Sequence, residues 1–306
     1  MPDPVQDPTR PRRRVLAAMA AAGALLLSAC GSAGDTVDSA DPTSDPSAST
    51  PPVRTLPPTE GSEPTESATP EQAAAPRPSV GECHKPQPTD VALQVSDDDT
   101  AAVACKGATA QTYLVRPMPK QVRAAVTDYD TSEILRTARK RCEPALADWL
   151  GVNVAALKTS QFGFVVGVPS AAQSADGASW MRCDVTLDAG NRLTALPKKT
   201  KNALDGSKKA KKYGSCVRGD IRTAAGTVLC TKKHRWRAVD AIKLGSGKAK
   251  FPGRKDIQGT MRDKCGGAVR SWLGTREAFE YGYVSPSKYS WGKGERWGTC
   301  FAKTKD

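Results

Sequence analysis

Aromatic side chains are missing from the first third of this 306-residue chain: all seventeen lie at or after Tyr113. Large core side chains are therefore unavailable there, which excludes one compact globule over the whole length. Beyond the N-terminus no apolar run approaches the ~20 residues of a membrane-spanning helix, which excludes a polytopic membrane protein. Histidine is nearly absent, with only His84 and His234 present. A Ser/His/Asp arrangement would have to use one of them, and no Gly-x-Ser-x-Gly elbow accompanies either. Phosphate-cradling and dinucleotide-binding glycine motifs are also lacking. Cys230 with His234 leaves two metal ligands unnamed. Neither a metal nor another cofactor is expected, and no residue is given a catalytic role.

What is present begins with nine cysteines, an odd number. Arg12, Arg13 and Arg14 precede an apolar stretch from Val15 to Leu27, followed by Leu27-Ser28-Ala29-Cys30. A charged start, a short apolar segment and small residues before a cut describe an export signal, not a spanning helix. The tetrad resembles the bacterial lipobox. That resemblance implies cleavage after residue 29, a diacylglyceryl group on the Cys30 sulfur, and anchorage on the extracytoplasmic face of the membrane.

Residues 30–80 read as a disordered tether. Within 31–80 there are ten prolines, fifteen serines or threonines, and eight carboxylates opposed by Arg54 and Arg77. Such a composition cannot bury enough apolar surface to offset its chain entropy. Flexible-chain scaling gives it a reach of roughly 40 Å.

With Cys30 set aside, eight cysteines remain: Cys83, Cys105, Cys142, Cys183, Cys216, Cys230, Cys265 and Cys300. Read as two sets of four, their surroundings repeat. Gly81-Glu82-Cys83 matches Gly214-Ser215-Cys216. Lys140-Arg141-Cys142 precedes Trp149-Leu150-Gly151 at the spacing by which Asp263-Lys264-Cys265 precedes Trp272-Leu273-Gly274. Phe162-Gly163-Phe164 with Pro169-Ser170 matches Tyr281-Gly282-Tyr283 with Pro286-Ser287. Pro169, Trp180 and Cys183 keep the intervals of Pro286, Trp297 and Cys300. The expected organisation is a repeat at 81–190, a Lys-rich linker at 191–213 and a second repeat at 214–306.

Ile257, Met261, Cys265, Val269, Trp272 and Leu273 share one helical face that ends at Gly274. The stretch Thr131 to Gly151 is its counterpart, and Pro144 is expected to kink or restart that helix. Strands are expected at Thr112–Val115, Phe162–Val168, Met181–Leu187, Trp236–Leu244, Glu280–Val284 and Trp297–Ala302. Each repeat is thus an α+β unit, a small sheet with one principal helix, stapled by disulfides. Eight cysteines allow about a hundred pairings. Duplication requires the same pairing twice, and the simplest joins first to second and third to fourth in each set.

The order of these motifs resembles the septum formation family of actinobacterial envelope proteins. The best match runs from Cys230 through His234, Arg235 and Trp236 to Val239, and ends in Trp291, Gly294, Arg296, Trp297 and Cys300. In the first repeat Ala108 stands where the pattern tends to place histidine. The resemblance implies a link to cell division and carries no agreed enzymatic activity. On the residues alone, His234 reads as a side chain at a strand start whose ring bonds backbone. Trp180 and Trp297 read as core packing, and Asp184 and Glu280 lie near strands without being singled out.

Charge gives the functional lead. The signal segment carries +2 and the tether −6, which leaves +17 on residues 81–306 of a chain whose total is +13. Lys198, Lys199, Lys201, Lys208, Lys209, Lys211 and Lys212 crowd the linker, and Lys243, Lys248, Lys250, Arg254 and Lys255 form a second patch. An exported chain meets little nucleic acid, so none is expected as a partner. The expected partners are the membrane, anionic wall polymers and envelope proteins. The favoured function is a non-catalytic binding or scaffolding lipoprotein of the envelope. The alternative is a wall hydrolase or its accessory subunit, which would need two close carboxylates in a cleft or an acid beside His234.

Overall fold

The computed structural model describes residues 77–86, 95–97, 102–128, 130–190, 192–222 and 226–304. The expected signal peptide, Cys30 and nearly all of the tether lie outside the described residues. The described chain falls within one compact unit, Pro70–Asp306.

The fold is α+β with two five-stranded sheets. The first half contains β1 (Cys83–His84), β2 (Val95–Asp97), β3 (Ala110–Pro117), α1 (Lys120–Thr127), α2 (Thr131–Leu150), α3 (Val154–Lys158), β4 (Phe162–Val168), α4 (Ala171–Ala175) and β5 (Trp180–Leu187). After α5 (Ser207–Tyr213) follow β6 (Ser215–Val217), β7 (Thr227–Leu229), β8 (Trp236–Lys243), α6 (Arg254–Leu273), β9 (Tyr281–Val284), α7 (Lys288–Gly292) and β10 (Trp297–Lys303). The strand orders are β1-β3-β5-β4-β2 and β7-β6-β8-β10-β9. Four strands therefore recur in the same order, β1-β3-β5-β4 as β6-β8-β10-β9.

The edges differ. In the second sheet β7 pairs with β6 and sets Cys216 against Val228. In the first sheet that place is held by a single bridge between Cys83 and Val103, while β2 pairs in parallel with β4 at the opposite edge. The first two cysteines are 22 residues apart in one repeat and 14 in the other. The longer segment supplies the extra strand.

Register marks the duplication more sharply than spacing does. Thr112 faces Asp184 and Leu114 faces Cys183, so Tyr113 is the extra residue of a bulge. Ala238 faces Phe301 and Asp240 faces Cys300, which leaves Val239 in the same position. A bulge kinks its strand and reorients the neighbouring side chains, so both sheets bend at equivalent points. The registers also correct one match. Phe164 faces Val185 and Tyr281 faces Ala302, and both partners lie two residues after the strand's cysteine. Phe164, not Phe162, is the counterpart of Tyr281. A slip of two residues keeps every side chain on its face, so the aromatic-Gly-aromatic pattern survives while its frame moves.

Helix α2 starts where the Asp130 carboxylate accepts from the amides of Ser132 and Glu133, and stops at Gly151 with φ 80°. Helix α6 stops at Gly274 with φ 64°. The expected restart at Pro144 does not occur, because α2 is continuous through it. Pro144 is exposed, so the carbonyl that loses its amide partner can bond water instead. On α6 the buried residues Ile257, Met261, Cys265 and Val269 recur every fourth position. A Cβ at Gly298 would collide with the Met261 thioether, so the glycine admits the helix to the sheet. The repeated Pro-Ser pairs also gain a reason: Ser170 and Ser287 each cap a short helix through a reciprocal capping box.

Four disulfides join Cys83 to Cys105, Cys142 to Cys183, Cys216 to Cys230 and Cys265 to Cys300. The same pairing occurs in both repeats, and it is the simplest of those that the duplication allows. The second and fourth tie each long helix to its central strand, with both sulfur pairs fully buried.

Candidate functional site

The lysines of the linker are held outward by a segment anchored inward. Ala203, Leu204 and Tyr213 are buried in the core of the first repeat, and the Tyr213 ring packs 5.0 Å from Phe162. Lys198, Lys199, Lys201, Lys208, Lys209, Lys211 and Lys212 are all exposed. Lys201 lies over the Trp149 ring at 5.8 Å and Lys212 over Tyr213 at 5.2 Å. Among the described residues no carboxylate forms an ion pair with any of the seven. Lys243, Lys248, Lys250, Arg254 and Lys255 are exposed as well, on and before the start of α6. The arrangement can hold polyanions by charge.

The two repeats meet at a mixed cluster of charge. The Arg139 guanidinium donates to Glu295 at 2.8 Å and to the Lys293 carbonyl at 3.1 Å. Lys158 pairs with Glu295 at 2.9 Å and also with Glu143. The group flanks a cavity of about 180 Å³ lined partly by Leu146, Leu157 and Phe164. Burial alone would raise the Glu295 pKa, but Lys158 and Arg139 outweigh it and hold the carboxyl below its usual range. A carboxyl kept ionised and doubly paired is a poor proton donor. Glu143 and Glu295 thus lie close together at this cavity, share Lys158 and latch the repeats to one another.

This latch gives an expected result. Glu295→Gln should lower stability by about 2 kcal/mol, less than a fully buried pair would lose, since Glu143 still holds Lys158. Because the folded pKa is depressed, the stabilisation from Glu295 is present above the ordinary carboxylate range and lost as pH falls through the folded value. Urea midpoints across an acid series should therefore fall more steeply in the wild type than in the variant.

Beneath the first sheet lies a second polar group. Arg182, Asp184, Thr112 and His84 are all buried. Arg182 Nε donates to Asp184 Oδ2 at 2.9 Å and the Thr112 hydroxyl to Oδ1 at 2.7 Å. Burial raises the Asp184 pKa against the lowering pull of Arg182, the Thr112 hydrogen bond and His84. A Cβ at Gly167 would strike the Arg182 side chain, within 2.6 Å of Nε, so that glycine makes the berth. In the second sheet His84, Thr112 and Asp184 give way to Val217, Ala238 and Phe301, which pack with Ile221, and Arg182 gives way to Thr299.

The histidine and tryptophans that carry the family pattern are buried or half-buried in the second repeat. His234 is buried and its Nδ1 meets the Lys232 carbonyl at 2.7 Å, as expected of a histidine that starts a strand. Trp291 is buried and donates to the Ala249 carbonyl at 2.8 Å. Arg296 stacks on its ring at 4.2 Å and donates to the carbonyls of Ser246, Gly247 and Trp291. Desolvation lowers the Arg296 pKa from its ordinary value. Trp236 and Val284 pack against the apolar cluster of Val217 and Phe301, and Trp297 is half-buried on β10. Ligand atoms of Cys216, Cys230 and His234 lie within 4.8 Å of one another, but the disulfide joins the two sulfurs. While oxidised they are not thiolate ligands.

Sequence reasoning found the lysines and the motif residues. It did not find the latch, whose members lie on elements far apart in sequence, nor the role of Arg182. The doublet Arg182 and Asp184, two apart on a mostly apolar strand, was the available signal.

The family model for septum formation matches residues 80–300. No curated protein and no solved structure matches the chain. Among the described residues no helix is long and apolar enough to cross a membrane.

Proposed function

The chain belongs to the septum formation family, and from that premise we propose that it is a non-catalytic binding lipoprotein of the cell envelope. Its lipid would sit on Cys30 and its tether would carry the folded unit away from the membrane into the wall. There the basic surface would hold anionic wall polymer near the site of septum growth. One observation carries this reading. The linker lysines project from a segment pinned by buried Ala203, Leu204 and Tyr213, so seven like charges are displayed on a fixed base. Fixed charge binds a polyanion with less ordering cost than charge on a loose loop.

Attraction of this kind weakens with salt, because screening shortens its range to about 10 Å at 0.1 M. Purified full chain should cosediment with anionic wall polymer at low salt and release it as salt rises towards about 0.5 M. Changing Lys208, Lys209, Lys211 and Lys212 to glutamate should weaken binding at least tenfold. Binding indifferent to both salt and these substitutions would overturn the electrostatic reading.

A further inference from the structure

The two Trp-Leu-Gly sequences that end the long helices meet different surroundings. In the first repeat the linker covers them. Trp149 Nε1 donates to the Thr200 hydroxyl at 2.9 Å, and Lys201 lies over the ring. The amides of Asn202 and Leu204 donate to the carbonyls of Trp149 and Leu150 at 2.8 and 3.0 Å. These carbonyls end a helix and have no partner within it. Asn202 adopts φ 59°, a left-handed turn that asparagine tolerates. Leu150 is completely buried as a result, with Leu204 beside it.

In the second repeat the same groups are bare. Trp272 is 48% and Leu273 37% exposed. Among the described residues no backbone amide reaches the carbonyl of Trp272 or of Leu273. A cavity of about 640 Å³ opens beside Leu273, with Phe279, Glu277 and Glu280 among its walls. Glu280 is paired with Lys303, and Arg270 is engaged by the Phe279 ring and the Arg276 carbonyl. Among the described residues no segment lies on this seat as the linker lies on the first.

We propose that this end of α6 is a docking site for an extended, basic peptide segment of a protein partner. The first repeat specifies the chemistry. A hydroxyl meets the indole N–H, a lysine covers the ring, two amides cap the helix carbonyls, and an aliphatic side chain enters beside Leu273. With Glu280 neutralised by Lys303, Glu277 is the wall carboxylate left to favour a cationic occupant. The inference does not rest on polymer binding, since the lysine face belongs to the linker and this site to the second repeat.

The test titrates purified full chain with a synthetic peptide of residues 196–206, followed by calorimetry. Wild type should give saturable heat. Trp272→Ala and Leu273→Glu, both on exposed residues and checked for an unchanged melting temperature, should each weaken binding about tenfold or more. Tyr289→Ala, exposed but outside this seat, should leave it unchanged. Absence of saturable heat, or binding indifferent to Leu273→Glu, would overturn the proposal. So would sedimentation showing a wild-type dimer that Leu273→Glu dissociates, because the occupant would then be a second copy of this chain.

Discussion

Arg182→Leu should lower the unfolding free energy by about 3–5 kcal/mol, the cost of leaving a buried charge without its partner. The Asp184 carboxylate accepts from Arg182 and Thr112 in a place shut off from water. Its pKa is already raised by burial, so without the guanidinium it must take up a proton or unfold its surroundings. A raised folded pKa makes this group's contribution fall as pH rises through that value. The variant should therefore recover stability on acidification from neutral pH, relative to wild type. The double substitution Arg182→Leu with Asp184→Leu should regain much of the loss, since an apolar pair of fitting volume often replaces a buried ion pair without penalty. The second sheet dispenses with both charges at this place, with Thr299 and Phe301 where Arg182 and Asp184 stand. Urea unfolding of the three variants measures the cycle. An unchanged midpoint for Arg182→Leu would contradict it.

Removing the Cys265–Cys300 disulfide by substituting alanine for both should cost about 3–4 kcal/mol. The bond spans 35 residues and ties α6 to β10 over a small core of Ile257, Met261, Val269 and Trp291. A core this size has little else to resist separation of helix from sheet. At about 2–4 °C per kcal/mol for a unit of this length, the melting temperature should fall by roughly 10 °C. Calorimetric melting checks it, and a variant that melts with wild type would refute it.

The duplication was legible because cysteines, glycines and the Pro-Ser pairs are local signals. Each marks a bond, a helix end or a cap whose geometry the neighbouring residues specify. Three features were not legible, for physical reasons. The edge strand β2 depends on pairing with β4, and edge strands carry weak local patterns. The latch depends on Glu295 meeting Arg139 and Lys158 from the other repeat, a contact that no periodicity encodes. The third is the fate of Trp149 and Trp272. They stand in the same motif, yet one is covered by the linker and the other exposed. A motif fixes the helix end; what packs on it is decided elsewhere in the chain.

The same limit applied to charge. Counting lysines identified the basic linker but not what anchors it. Its inward residues Ala203, Leu204 and Tyr213 belong to the core of the first repeat. They sit among the lysines without a strand or long-helix period, so no pattern marked them as buried. The distinction matters for function, since charge on an anchored segment is displayed in one arrangement.

The proposed role of this septum formation family member is to hold envelope polymer through its displayed charge. The most direct measurement is fluorescence imaging of dividing cells that express the tagged full chain, beside the variant with Lys208, Lys209, Lys211 and Lys212 changed to glutamate. The account predicts that wild type concentrates at division septa and that the variant, at equal abundance, spreads evenly along the envelope. Equal septal enrichment of both, or no enrichment of either, would contradict it.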